Sequence, residues 1–254
     1  MPKKIPVLLQ MYTVRDDAQA DLASTLATVA KTGYAGVELA GYAGKTAAEY
    51  KQLLDDNGLR AYSAHTGIDQ IRDNPNQVID DAKLFGFEYV IVPWIGSPYV
   101  DSFAGFQQVG QLLAEASPAF TEAGLTLGYH NHAFEFEKSE NGVNGFDALF
   151  TAGGDKVAVE MDTFWVKKGG FDPAEYLAKY TNRVPLVHLK DMDDEGSFAP
   201  VGTGTIDYVG SLLPAAEAAG VKYYIVEQDS CKSPLTPLES IKISMENLKG
   251  WGVV

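Results

Sequence analysis

Asp162, His188 and Glu227 each close a short apolar run: Val-Ala-Val-Glu-Met-Asp, Val-Pro-Leu-Val-His and Tyr-Tyr-Ile-Val-Glu. They are spaced by roughly one strand–helix unit. On consecutive parallel strands, two carboxylates and an imidazole would converge at one mouth of a barrel. Oxygen and nitrogen donors of this kind suit one divalent ion: manganese, zinc, magnesium, iron or cobalt. Taken singly, each residue could instead cap a neighbouring helix, Asp162 above all. A fourth ligand is expected from the preceding unit, His130-Asn131-His132-Ala133-Phe134-Glu135-Phe136-Glu137. Glu135 is the first choice there and His130 the second.

All 4 histidines of the chain, His65, His130, His132 and His188, fall at predicted strand ends. Around them stand residues suited to a polyol. Trp94, Phe164 and Trp165 offer flat apolar walls for the C–H face of a sugar. Gln10, Glu38, His65, His130, His132, Lys190 and Gln228 can direct hydrogen bonds to hydroxyls. The chemistry this set would perform is metal-assisted proton transfer beside a carbonyl. Glu135 or Glu227 would remove the proton, and His65, His132 or Lys190 would handle the second one. Lys190 either stabilises a developing oxyanion or pairs with the adjacent Asp191. The run Val201-Gly202-Thr203-Gly204-Thr205-Ile206-Asp207 reads as a tight loop, with Thr205 or Asp207 capping the next helix.

Such residues need parallel strands to hold them. A helix-like stretch ending in glycine, then a short β-branched or aromatic run, recurs along the chain. Gly33 precedes Gly36-Val37-Glu38-Leu39, Gly86 precedes Tyr89-Val90-Ile91-Val92, and Gly220 precedes Tyr223-Tyr224-Ile225-Val226. Glycine stops a helix because it takes the left-handed conformation without a side-chain clash. Eight such strands separated by amphipathic helices predict a single α/β (β/α)8 TIM barrel over residues 1–254. Helical spacing groups Leu22, Leu26 and Val29, then Phe106, Val109, Leu112 and Leu113, then Val209, Leu212, Leu213 and Ala216. No glycine-rich dinucleotide fingerprint follows the first strand.

Composition agrees. The 254 residues are 46% hydrophobic, enough to fill a large core. A net charge of −14 disfavours nucleic acid as a partner. The single cysteine, Cys231, allows no disulfide within the chain and fits a reducing compartment. No apolar run is long enough for a membrane span. Residues 1–5 are basic but lead into no signal-like stretch, so the expected location is the cytoplasm. The expected partner is a small sugar-like molecule, with self-association left open.

The chain resembles the sugar phosphate isomerase/epimerase family of xylose-isomerase-like barrels. The resemblance is carried by Leu9-Gln10-Met11-Tyr12-Thr13-Val14-Arg15-Asp16, Gly36-Val37-Glu38-Leu39-Ala40-Gly41-Tyr42 and Ser63-Ala64-His65. It continues through Tyr129-His130-Asn131-His132-Ala133-Phe134-Glu135-Phe136, Glu160-Met161-Asp162-Thr163-Phe164-Trp165, Val187-His188-Leu189-Lys190-Asp191 and Ile225-Val226-Glu227-Gln228-Asp229. It implies a Glu-Asp-His-Glu metal site in which Asp162, His188 and Glu227 supply the last three ligands. On the fifth strand His130 stands where epimerases of the superfamily often have glutamate. Relatives in the superfamily include epimerases, isomerases, dehydratases and apurinic endonucleases. The rival classes are therefore a keto-sugar or keto-inositol lyase, a phosphodiester-cleaving enzyme and a carbohydrate-binding barrel without chemistry.

Overall fold

In the computed structural model, which describes residues 4–254, eight strands run parallel and close on one another. The basic start at residues 1–3 lies outside the described residues. The barrel strands are β1 (Val7–Gln10), β2 (Gly36–Leu39), β3 (Ala61–His65), β4 (Tyr89–Val92), β5 (Thr126–His130), β6 (Ala158–Asp162), β7 (Leu186–Leu189) and β8 (Tyr223–Val226). They neighbour one another in chain order, and β8 pairs with β1 through Val7↔Tyr224 and Leu9↔Val226. This is the predicted (β/α)8 barrel.

The crossover helices are α1 (Leu22–Thr32), α2 (Ala47–Asp56), α3 (Pro75–Phe85), α4 (Phe103–Glu122), α5 (Gly145–Gly153), α6 (Pro173–Lys179), α7 (Leu213–Ala219) and α8 (Pro237–Gly250). Their boundaries follow from local chemistry. Asp21, Thr46, Ser102, Asn144 and Thr236 accept backbone N–H groups at N-termini. Gly33, Gly86 and Gly220 end α1, α3 and α7 in the left-handed conformation, at φ 105°, 76° and 83°. Leu22, Leu26 and Val29 are buried as their spacing predicts, as are Phe106, Val109 and Leu113. Val209 differs: it is exposed. Asp207 caps Gly210 N at 2.8 Å and opens a wide π-helical turn over Tyr208–Leu212, which turns Val209 to solvent before α7 begins at Leu213. Gly110 lets α4 lie against α5, because a Cβ there would collide with the Leu149 carbonyl oxygen. Among the described residues, no helix is long and apolar enough to cross a membrane.

Alternation along each strand divides two cores. Outward residues such as Val37, Tyr129, Val159 and Val187 pack beneath the helices. Inward residues Leu8, Tyr89, Ile91, Leu186 and Ile225 form a separate apolar plug inside the barrel. Removing a plug residue, as in Ile225→Ala, leaves a cavity costing about 2–5 kcal/mol. Directly above the plug the inward side chains become polar: Gln10, Glu38, His130, Glu160 and His188, all buried. The floor of the site is thus one layer of the barrel interior.

Candidate metal centre

The inward positions at the C-terminal ends of β5, β6, β7 and β8 carry His130, Asp162, His188 and Glu227. Their donor atoms all lie within 4.8 Å of one another. Nδ1 of His188 is 2.8 Å from Glu227 Oε2, and Nε2 of His130 is 3.7 Å from Asp162 Oδ2. Asp162 is held by its second oxygen, since Oδ1 caps Trp165 N at 2.8 Å. Its Oδ2 is buried and has no hydrogen-bond partner. Its nearest cation is the Lys190 ammonium, 3.4 Å away and making no hydrogen bond to it, and a buried carboxylate oxygen left without one is costly. With that oxygen, the Glu227 carboxylate and two imidazoles make a donor set that fits a divalent ion of the oxygen- and nitrogen-binding kind.

Lys190, fully buried on the same rim, brings its Nζ to 2.6 Å from Asp229 Oδ1, 3.0 Å from Glu227 Oε2 and 3.4 Å from Asp162 Oδ2. It does not pair with Asp191. That carboxylate is wrapped by the loop at 201–207, accepting from the backbone N–H groups of Gly202, Gly204 and Ile206 as well as Met192. The loop is therefore an Asp191 cradle, and Lys190 is left to the site.

Charge at the site is short of positive partners. Burial pushes Asp162 up to about 7 against the pull of Lys190. For Glu227 burial is outweighed by Lys190 and His188, which hold its carboxyl well below the usual range. His188 is raised: burial opposes its charge, but Glu160, Glu227 and Glu38 outweigh burial. His132 goes the other way, lowered to about 3 by burial and by Lys190, and its buried Nδ1 has no partner. Of these, His132 and Glu227 open, with His130, onto a cavity of about 380 Å³ lined also by Tyr12, His65, Trp94, Lys190 and Asp229.

Several expected site residues lie elsewhere. Glu135 does not join the cluster. Its short helix, Phe134–Glu137, folds back behind β5, where Oε1 accepts from the Tyr129 hydroxyl and both oxygens accept from His132 N. His130, the second choice for fourth ligand, is the residue brought to the cluster. Gln228 faces outward to α8, bonded to the Ser240 hydroxyl and Ser230 O. Gln10 and Glu38 are fully buried below the cavity and bond each other at 2.7 Å. Trp165 stands one side chain back, its ring 5.3 Å from Lys190 Nζ and 5.2 Å from the His132 ring. His65, His132 and Trp94 do line the cavity, and the Trp94 ring is 59% exposed there.

Two residues escaped the sequence reading. Asp229 lines the cavity and anchors Lys190. Glu160 lies under the cluster, within 3.1 Å of His65, His130 and His188. It was legible in principle: it sits two residues before Asp162, on the same side of β6, as a lone charge in an apolar run.

With this fold and site, the chain belongs to the xylose isomerase-like TIM barrel family, whose description matches residues 26–251. It is 23% identical over 265 residues to the rhizopine catabolism protein MocC of Rhizobium meliloti, covering 89% of this chain and 80% of that protein. It is 26% identical over 152 residues to an inosose dehydratase of Geobacillus kaustophilus, covering 53% of this chain and 49% of the dehydratase. A crystal structure of a sugar phosphate isomerase/epimerase from Parabacteroides distasonis superimposes with a TM-score of 0.85 at 25% identity, covering 97% and 94% of the two chains.

Proposed function

We propose that this protein is a metal-dependent enzyme that moves a proton on the carbon beside the carbonyl of a sugar or keto-sugar derivative. The observation that carries the reading is the convergence of His130, Asp162, His188 and Glu227 at the mouth of the barrel, where the buried Asp162 Oδ2 accepts no hydrogen bond. A divalent ion held by these four residues would polarise a carbonyl and its neighbouring hydroxyl. The chain's own groups do the rest. Both hydrogen bonds to Glu227 fall on Oε2, so Oε1 is the oxygen left to take a proton from the substrate. Lys190, kept charged by three carboxylates, stabilises negative charge developing on the substrate oxygen. His132 and His65 stand on the cavity wall to deliver or receive the second proton.

The favoured substrate is an uncharged polyol. Lys190 is already committed to three carboxylates, and His65 lies against Glu160 at 2.7 Å and Glu38 at 3.1 Å. Among the described residues of the lining, no cation is left over for a phosphate, with Lys190 facing the reacting oxygen and His65 held by two carboxylates. Trp94 supplies an apolar face for sugar C–H groups.

Isomerisation or epimerisation is the first reading of the outcome. The similarity to an inosose dehydratase supports a second, in which the same carbanion expels a β-hydroxyl. The test is deuterium exchange in D2O on a panel of neutral and phosphorylated keto sugars and keto-inositols. Manganese-loaded protein should exchange the proton beside the carbonyl of a neutral member and lose that exchange with chelator. Equal exchange with and without chelator would sink the metal reading, and product analysis separates epimer from eliminated ketone.

A further inference from the structure

His130 and His188 each belong to two constellations. One is the mouth cluster with Asp162 and Glu227; the other, one layer lower, joins them to His65 and Glu160. The distances show which nitrogen serves which. His130 turns Nε2 towards Asp162 and Nδ1 towards Glu160 Oε1, at 3.0 Å. His188 turns Nδ1 towards Glu227 and Nε2 downward, 2.8 Å from Glu38 Oε1 and 3.1 Å from Glu160 Oε1.

A neutral imidazole carries one proton, and the partner of one nitrogen decides what the other can do. We infer that Glu160 and Glu38 are positioning residues: Glu160 accepts the Nδ1 proton of His130, leaving its Nε2 bare at the mouth, and the two carboxylates accept the Nε2 proton of His188, so that its Nδ1 is free of a proton once a cation takes the place of the hydrogen bond to Glu227. The inference rests on the proposed metal function only for what His130 Nε2 and His188 Nδ1 bind.

The rest of the layer is built to hold the two carboxylates. Glu38 accepts from Gln10 Nε2 at 2.7 Å and from Ser63 Oγ at 2.6 Å. His65 lies between Glu38 and Glu160, and its ring is parallel to that of His188, 5.5 Å away. His65 Nε2, 2.7 Å from Glu160 Oε1 and 3.1 Å from Glu38 Oε1, separates two acids that have no solvent to screen them. The lower group and the upper one cannot each hold an ion at the same time, because two ions together would need both nitrogens of His130 and both of His188, and two imidazolates would have to form among buried carboxylates. Carboxylate acceptors behind ligating histidines fix ring orientation, and their loss weakens metal binding by roughly 10–100-fold.

The test has two arms. Long-range 1H–15N spectra of the metal-free and the zinc-loaded protein report which ring nitrogen bears the proton. His130 should carry it on Nδ1 in both, and His188 on Nε2 in the zinc-loaded form. In zinc titrations Glu160→Gln should bind about 10-fold or more weakly at an unchanged stoichiometry. Glu38→Gln should also bind more weakly while leaving the His130 tautomer as it was; circular dichroism checks that both variants fold. A proton on His130 Nε2 overturns the inference. So does wild-type zinc affinity in Glu160→Gln, or a second zinc that this variant alone loses. Wild-type protein with the Nδ1 tautomer that binds no zinc upholds the positioning and overturns the metal function instead.

Discussion

The Tyr129 hydroxyl donates a 2.7 Å hydrogen bond to Glu135 Oε1 on the outer side of β5. The contact keeps a fully buried carboxyl away from the cavity, and burial pushes it up to about 7 from an ordinary value of 4.5. The sign of its effect on stability follows. Between those two values the unfolded chain gives up its proton first, while the folded chain retains it. Stability contributed below pH 4.5 is therefore lost as the pH rises through 7, an amount on the order of 3 kcal/mol. Glu135→Gln removes this titration. Urea unfolding at pH 5 and pH 8 should show the variant gaining on the wild type as the pH rises, with metal binding unchanged. A variant that loses its metal would restore Glu135 to the site.

Asp162 holds two roles on two oxygens, so they can be separated. Oδ1 caps the helix Thr163–Lys168 through Trp165 N, while Oδ2 faces the cluster. Asparagine caps helices about as well as aspartate. Asp162→Asn should keep the fold and its melting temperature close to wild type yet bind manganese at least tenfold more weakly, because the lost group is the anionic ligand. Isothermal titration beside thermal unfolding checks both halves. Equal manganese affinity would remove Asp162 from the ligand set.

Much of this was readable in the sequence. A strand buried on both faces reads as a continuous apolar run, so the polar residue that ends it is conspicuous; Asp162, His188 and Glu227 stood out that way, and the fold brings them together. What failed was sidedness. Successive residues on a strand face opposite ways. Gln228 follows the inward Glu227 and so points out to Ser240. Glu135 lies beyond the strand, where the turn decides which way it faces. Nothing in Ala133-Phe134-Glu135 says that the short helix folds back onto Tyr129. Gln10 and Glu38 do point inward, but one layer too deep to meet a substrate, and layer depth depends on barrel stagger, which no local pattern records.

Trp94 is the most exposed large apolar side chain on the cavity wall, at 59%. It makes no contribution to the charged cluster, so its loss removes binding that ground state and transition state share. Trp94→Ala should raise KM for the keto sugar by roughly tenfold, the scale of about 1.4 kcal/mol of apolar contact, and leave kcat nearly unchanged. Steady-state kinetics on the substrate found by the exchange panel measure the split. A fall in kcat at constant KM would place Trp94 in the chemistry instead of in binding.

Lys190 sets two quantities in opposite directions. Its ammonium lies 3.4 Å from Asp162 Oδ2 and 3.0 Å from Glu227 Oε2, the two carboxylates of the proposed metal set. A unit charge at such distances repels a dication by several kcal/mol even at an effective dielectric of about 20. Methionine has a stem of similar length and no charge, so Lys190→Met keeps much of the packing and removes that repulsion. The variant should bind manganese more tightly than wild type, by about tenfold or more on the same electrostatic scale. Its proton exchange should nevertheless fall by about 10²-fold, because no charged donor then meets the developing oxyanion. Tighter metal with slower chemistry cannot come from a loosened fold, which would weaken both. Manganese affinity that falls together with exchange would show Lys190 to be a structural brace for Asp229 and Glu227 and not a participant in the reaction.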